Sequence, residues 1–235
     1  MSVIDIHGTR VIDLTQRIET DIPVPVGFPG PVFETYLSQE KGDVANVEIL
    51  WMGMHAGTHC DAPYHFFSDL PTIDELPPEI FIGPAIVVDV SHLEGAVQIE
   101  YEDFKNWELK SGETIQPGDG VLLFTGNSKN WGLGKEASKY WENGWPYLSP
   151  SAVEYLSSKP IRWIGVESFD PDWVDLNDLS TATFPTHRGF LPKGIYIIEN
   201  LTNLDKIPKI RCSVIALPLK IKQGSGSPLR VIAIV

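Results

Sequence analysis

Short runs rich in β-branched and bulky apolar residues recur from one end of the chain to the other. They cover Arg10 to Leu14, Asn46 to Met52, Ala85 to Asp89, Gly120 to Thr125, Ile161 to Val166, Ile195 to Glu199, Ser213 to Leu217 and Arg230 to Val235. Runs of this length, bounded by turn-forming residues, read as strands. Between them, Tyr101 to Leu109 carries a helical pattern ended by Lys110-Ser111-Gly112, and Ser149-Pro150 supplies a cap and first-turn proline for a helix to about Ser158. The expected class is therefore a sheet-rich α/β protein. Its 19 prolines and 20 glycines lie largely in the connections. The longest irregular stretches are Ile22 to Pro31, Asn127 to Pro146 and Ser168 to Phe184, and their aromatic content predicts packed functional loops. No repeat or inter-domain linker interrupts the pattern, and 235 residues with 43% hydrophobic content suffice for one core. A single domain over residues 1–235 is expected.

A net charge of -13 and a pI near 4.8 argue against a sequence-independent grip on nucleic acid and against anionic membrane surfaces. No stretch approaches the ~20 apolar residues of a membrane span. The first residues hold no basic segment followed by a long apolar run, so the cytoplasm is the expected location. Cys60 and Cys212 then read as free thiols.

Three of the six histidines, His55, His59 and His65, fall within eleven residues, with Asp61 among them. Clustered imidazole and carboxylate is the donor chemistry of a Zn, Mn or Fe site. In an extended strand His55 and His59 would lie ~13 Å apart, too far to share one ion. A helix would turn Asp61 away, and Gly57, Thr58 and Pro63 are poor in helix interiors. The segment is therefore expected to be a curved loop after a strand ending near Met54, with Gly57 permitting a turn and Pro63 stiffening the exit. His7 and His92 lack comparable company and read as surface residues.

The pattern His55-x-Gly-Thr-His59-x-Asp61-Ala-Pro-x-His65 resembles the signature of the cyclase family of metal-dependent hydrolases, which includes bacterial kynurenine formamidase and isatin hydrolase. Asp13-Leu-Thr-Gln16 resembles that family's opening strand, and Thr186-His187-Arg188 with Gly194 to Leu204 resembles its later metal-binding segment. Leu217-Pro-Leu-Lys220 and Gly226-Ser-Pro-Leu-Arg230 are similar to its ending, so the likeness spans nearly the whole chain. It implies a swivelling β/β/α-type domain with mixed sheets. It also implies one or two divalent ions, Zn or Mn, held by His55, His59 and Asp61, with Asp61 able to bridge and His187 and Glu199 completing the site. His65 resembles the family's catalytic histidine, placed as a proton shuttle, although its own chemistry also suits a ligand.

The implied activity is hydrolysis of a C–N bond in an amide, formamide or cyclic amide by metal-activated water. Lactone hydrolysis or cyclisation on the same site, or a metal-containing binding protein without catalysis, are the alternatives. The expected partner is a small molecule, with Phe28, Trp51, Phe66 and Phe67 either lining a pocket for a flat ring or packing in the core. A homo-oligomer, dimer or tetramer, is expected, with the aromatic insertion from Trp131 to Trp145 packing on another subunit or covering its own site. Two departures bear on specificity. Where members of the resembled family of the formamidase type usually carry an Asp-Thr pair this chain has Glu167-Ser168, and where their early loop commonly ends in Pro-Gly-Asp it reads Phe28-Pro-Gly-Pro31. Cys60 lacks an uncommitted base and is not read as a nucleophile, while the Gly224-Ser-Gly-Ser-Pro228 run reads as a turn, lacking the lysine of a phosphate loop.

Overall fold

The computed structural model describes residues 3–6, 9–24, 27–175 and 179–235. Its strands are β1 Val3–Ile6, β2 Thr9–Asp13, β3 Val32–Leu37, β4 Val47–Trp51, β5 His59–Asp61, β6 Ile82–Asp89, β7 Gln98–Ile99, β8 Gly120–Phe124, β9 Tyr147–Leu148, β10 Trp163–Val166, β11 Tyr196–Glu199, β12 Arg211–Pro218 and β13 Gly226–Ile234. Four α-helices are described: α1 Tyr101–Ser111, α2 Ala137–Asn143, α3 Pro150–Ser157 and α4 Pro185–Phe190. Each run read as a strand forms one. The two expected helices form as well, α1 stopping at Gly112 in the left-handed conformation and α3 capped by Ser149, whose side chain accepts from the Ala152 N–H.

The main sheet runs β1-β2-β13-β12-β6-β8-β10-β11-β5, and β5 also pairs with β13. That extra pairing closes β13, β12, β6, β8, β10, β11 and β5 into a mixed seven-stranded barrel. Strands β6, β8, β10 and β11 are mutually parallel, which requires crossover connections, and α1 to α4 lie in those crossovers. The mixed α/β class with few helices thus agrees with the sequence reading.

Alternation along the strands divides the apolar residues into two layers. One set, including Cys60, Leu122, Trp163, Ile198, Val214 and Val231, forms one buried cluster among the barrel strands. The other, including Ile86, Val88, Val121, Leu123, Ile164 and Ile197, packs under Phe104 and Trp107 of α1 and Ala152, Val153 and Leu156 of α3. The β3–β4 hairpin stands apart from the barrel as its own two-stranded sheet, with Phe33, Tyr36, Leu50 and Trp51 exposed. No helix among the described residues is long and apolar enough to cross a membrane.

Trp163 is fully buried, and its indole lies where any side chain on Gly120 of the neighbouring strand would be: a Cβ there would come within 2.0 Å of Trp163 Cζ2. Gly120→Ala is therefore an overpacking change, expected to destabilise the fold by about 1–3 kcal/mol. Urea unfolding at an unchanged m-value should show a lowered midpoint; an unaltered midpoint would mean that the indole has room to move.

Candidate metal centre

The chain leaves β4 at Trp51 and reverses through residues 54–58, where Gly57 takes φ +66°. This turn is stapled to the residue following β11. Thr58 Oγ1 donates to the Asn200 carbonyl at 2.7 Å, and Asn200 Nδ2 donates to the Gly57 carbonyl at 3.0 Å. The chain then enters β5, so the expectation of a continuous curved loop is corrected: a three-residue strand lies within the motif. It forms because its backbone bridges β11 and β13, a demand of barrel closure that local sequence does not display. The turn at Gly57 nevertheless brings the His55 and His59 ring centroids to 5.1 Å. Within β5, His59 and Asp61 share one face and Cys60 takes the other, facing the buried cluster. Burial pushes the Cys60 thiol well up, in keeping with an inert residue.

The structure brings all six sequence-designated residues together. In register, Glu199 lies opposite His59. His187 arrives on α4, whose Phe184 N-cap residue holds the left-handed φ of 49°. His59 Nδ1 donates to the Gly57 carbonyl at 2.9 Å, leaving Nε2 3.4 Å from Asp61 Oδ1 and 3.3 Å from Glu199 Oε2. His187 Nδ1 lies 2.8 Å from Asp172 Oδ2, leaving Nε2 3.2 Å from Asp61 Oδ2 and 3.6 Å from Glu199 Oε1. His55 Nδ1 lies 2.7 Å from Asp61 Oδ1. His65 stacks on His55 with centroids 3.9 Å apart. Among the described residues, three groups of potential ligand atoms, each within 4.8 Å, result: His55, Asp61 and His65; His59, Asp61 and Glu199; Asp170, His187 and Glu199.

Electrostatics explain why this set fits a cation. Asp61, Asp170, Asp172 and Glu199 are all buried, and buried charge needs a compensating partner. Burial opposes the charge of Asp61, but His55, His187 and His59 hold its pKa well below the usual carboxylate range. Burial and the charge of Asp61 raise Glu199, and burial raises Asp170 strongly. Burial disfavours charged His59, yet its hydrogen bond to Asp61 and the charges of Glu199 and Asp61 outweigh that and raise its pKa to about 9. Without another cation, imidazole protons supply the positive charge; a divalent ion accepted by the same oxygens and ring nitrogens supplies it instead.

Sequence reading missed Asp172, which accepts from His187 and from the backbone N–H groups of Thr186 and His187 at 2.7 and 3.2 Å. The acidic pair flanking Pro171 in a long irregular stretch was the only available signal. The Glu167 carboxylate has a structural role: it accepts from Thr125 N–H, Gly126 N–H and Ser128 Oγ at 2.9, 2.6 and 2.6 Å, tying β8 to β10. The aromatic insertion covers its own site, with Tyr140 donating to Asn200 Oδ1 at 3.1 Å and Trp145 Nε1 to the Asp172 carbonyl at 3.0 Å. Of the four aromatic candidates, Phe66 stacks on His187 at 4.5 Å and Phe67 packs against the helix-side core, whereas Phe28 and Trp51 are exposed. His92 is exposed, as expected, and His7 lies outside the described residues. The reading of the Gly224 run as a turn is corrected: Gly224 N–H closes a turn on the Ile221 carbonyl, but from Gly226 the run is strand β13, held by its pairing with β5.

Imidazoles and carboxylates converging on and around the closing strand β5 form a site able to hold a metal ion. The chain belongs to the Cyclase family, described as "Putative cyclase", whose profile matches residues 12–173. It is 32% identical to a kynurenine formamidase of Bacillus mycoides over 221 residues, 94% of this chain and 95% of that one. Isatin hydrolase A from Labrenzia aggregata, bound to benzyl benzoate, superposes with a TM-score of 0.84 at 31% identity, covering 97% of this chain and 94% of that one. A structure described as a potential metal-dependent hydrolase with cyclase activity matches at TM-score 0.74 and 27% identity, over 96% of this chain and 98% of that one.

Because His59 is protonated below about pH 9 in the protein alone, a cation taking its Nε2 must displace a proton. Apparent affinity for Zn²⁺ is therefore expected to rise with pH between 6 and about 9, by about tenfold per unit for each proton displaced. Calorimetric titration in buffers of different ionisation enthalpy measures that release; an affinity flat with pH would show that His59 is not a ligand.

Proposed function

We propose that the protein hydrolyses a C–N bond of an amide, formamide or cyclic amide carried on a small, aromatic substrate. The observation supporting this most is the commitment of the rear nitrogens of His59 and His187 to Gly57 and Asp172, which turns both Nε2 atoms toward the shared carboxylates of Asp61 and Glu199. In this reading His55, His59, Asp61, His187 and Glu199 would hold one or two Zn or Mn ions. A bound ion would supply Lewis acidity toward the scissile carbonyl and would lower the pKa of water to ~7.

His65 then moves the proton. Its ring edge reaches solvent, yet the protein packed around it favours the neutral form and pushes its pKa down to about 4, with Asp61 opposing and the neighbouring imidazoles reinforcing. A neutral imidazole at neutral pH accepts a proton from water and passes it to the departing nitrogen. Phe66 and Phe184, whose rings meet at 5.1 Å beside His187, offer the faces against which a flat ring would lie. N-formylkynurenine and isatin, the substrates that the names of the relatives suggest, are the first compounds to assay, alongside lactones. Activity should disappear on chelation and return with Zn or Mn. His65→Ala should lower turnover ~10²–10⁴-fold with metal content unchanged; a parallel loss of metal would make His65 a ligand.

Assembly belongs to the same reading. Tyr140 and Trp145 are buried within their own chain, whereas Val32, Phe33, Tyr36, Val47, Leu50 and Trp51 form an exposed apolar group on the β3–β4 hairpin, which leads to His55. A hairpin of two strands is marginal alone, and a second copy of the chain packing on it gives a homo-oligomer, a dimer or tetramer. Sedimentation should show that oligomer, and Leu50→Glu with Trp51→Glu should release monomers; a monomeric parent protein would refute the assignment.

A further inference from the structure

The imidazoles around Asp61 differ in what holds their second nitrogen. His59 gives Nδ1 to the Gly57 carbonyl and His187 gives Nδ1 to the Asp172 carboxylate. A carbonyl or ionised carboxylate only accepts, so each holds a proton on Nδ1 and leaves Nε2 as the nitrogen that can give up its proton to a cation. His55 is reversed: Nδ1 lies 2.7 Å from Asp61 Oδ1, and Nε2 lies 2.9 Å from Ser225 Oγ. A hydroxyl both donates and accepts, so Ser225 satisfies Nε2 in either tautomer of the ring.

Ser225 is itself firmly placed. Its carbonyl accepts from the Ala62 N–H at 2.9 Å, and the next residue, Gly226, pairs with Asp61 across β5 and β13. Gly226 also makes room for the ring. A Cβ there would lie 2.7 Å from His55 Cε1 and 2.7 Å from the Cys60 carbonyl oxygen, the latter a backbone atom that cannot yield cheaply.

We propose that the Gly224-Ser225-Gly226 segment positions His55 so that Nδ1, and not Nε2, is the nitrogen presented to a cation beside Asp61. The inference rests on the cation site proposed above. In the protein alone, Nδ1–H donates to Asp61 and the Ser225 hydroxyl donates to Nε2. With a cation beside Asp61, the ring proton sits on Nε2 and the same hydroxyl rotates to accept it. Ser225 is thus a positioning residue acting through His55, and the side-chain-free Gly226 is the reason the ring can lie within its reach.

Zn²⁺ affinity, measured by competition with a chromophoric chelator, tests this on the parent protein, Ser225→Ala and Ser225→Thr. Outer partners of metal-ligating histidines typically contribute ~10–100-fold in affinity. Ser225→Ala should lose that much while the thermal midpoint of the chelated protein stays unchanged, and Ser225→Thr, which keeps the hydroxyl, should recover it. Imidazole ¹⁵N shifts of the Zn-loaded parent protein should show His55 protonated at Nε2 and bound through Nδ1, a readout independent of how the variants fold. Equal Zn²⁺ affinity in Ser225→Ala, or binding of His55 through Nε2, would overturn the proposal and leave the cation site standing. Absence of Zn²⁺ binding by the parent protein would overturn both.

Discussion

The short strand His59–Asp61 is hydrogen-bonded on both edges, to β11 on one side and to β13 on the other, and this double pairing closes the barrel. The same three residues carry the centre of the site. Because side chains alternate along a strand, closure sends Cys60 into the buried cluster and sends His59 and Asp61 together to the opposite face. Glu199 stands across from His59 through the β11 register, and Gly226 stands across from Asp61 through the β13 register. A slip by one residue in either pairing would exchange the two faces and dismantle both the core and the donor set.

Placing four carboxylates in the interior is unfavourable unless positive charge and hydrogen bonds compensate it. The fold meets this locally. Asp61 faces His55, His59 and His187, while Asp172 takes two backbone N–H groups and the His187 ring. Glu167 is satisfied without any cation, by the end of β8 and the turn after it. That division separates a carboxylate holding the scaffold together from carboxylates whose oxygens face imidazole nitrogens. It also explains why a glutamate at position 167 matters to the alignment of β8 and β10.

Much of the architecture was legible because it rests on local patterns. The β-branched runs became strands, the Gly112 stop and the Ser149-Pro150 start bounded two helices, and Gly57 made the turn that the spacing of His55 and His59 demanded. The donors between His55 and His65 were legible from their clustering in one short segment, whereas His187 and Glu199 were indicated only by resemblance to the cyclase family's later segment. The strand character of His59–Asp61 was not, because three residues carry too little period to register. Asp172 and Ser225 were also hidden, lying 111 and 164 positions beyond Asp61 in ordinary loop and turn sequence.

What the sequence determined by itself was the kind of chemistry and the kind of fold: residue types suited to holding a cation, and short strands that must form a sheet. Tertiary structure alone decided which nitrogen of each histidine faces Asp61. That choice depends on the partner behind each ring, a carbonyl at Gly57, a carboxylate at Asp172 or a hydroxyl at Ser225, and Ser225 lies 170 positions from the His55 it holds. Residue identity sets what an imidazole can bind. Its orientation is set by hydrogen bonds that exist only once the barrel has closed.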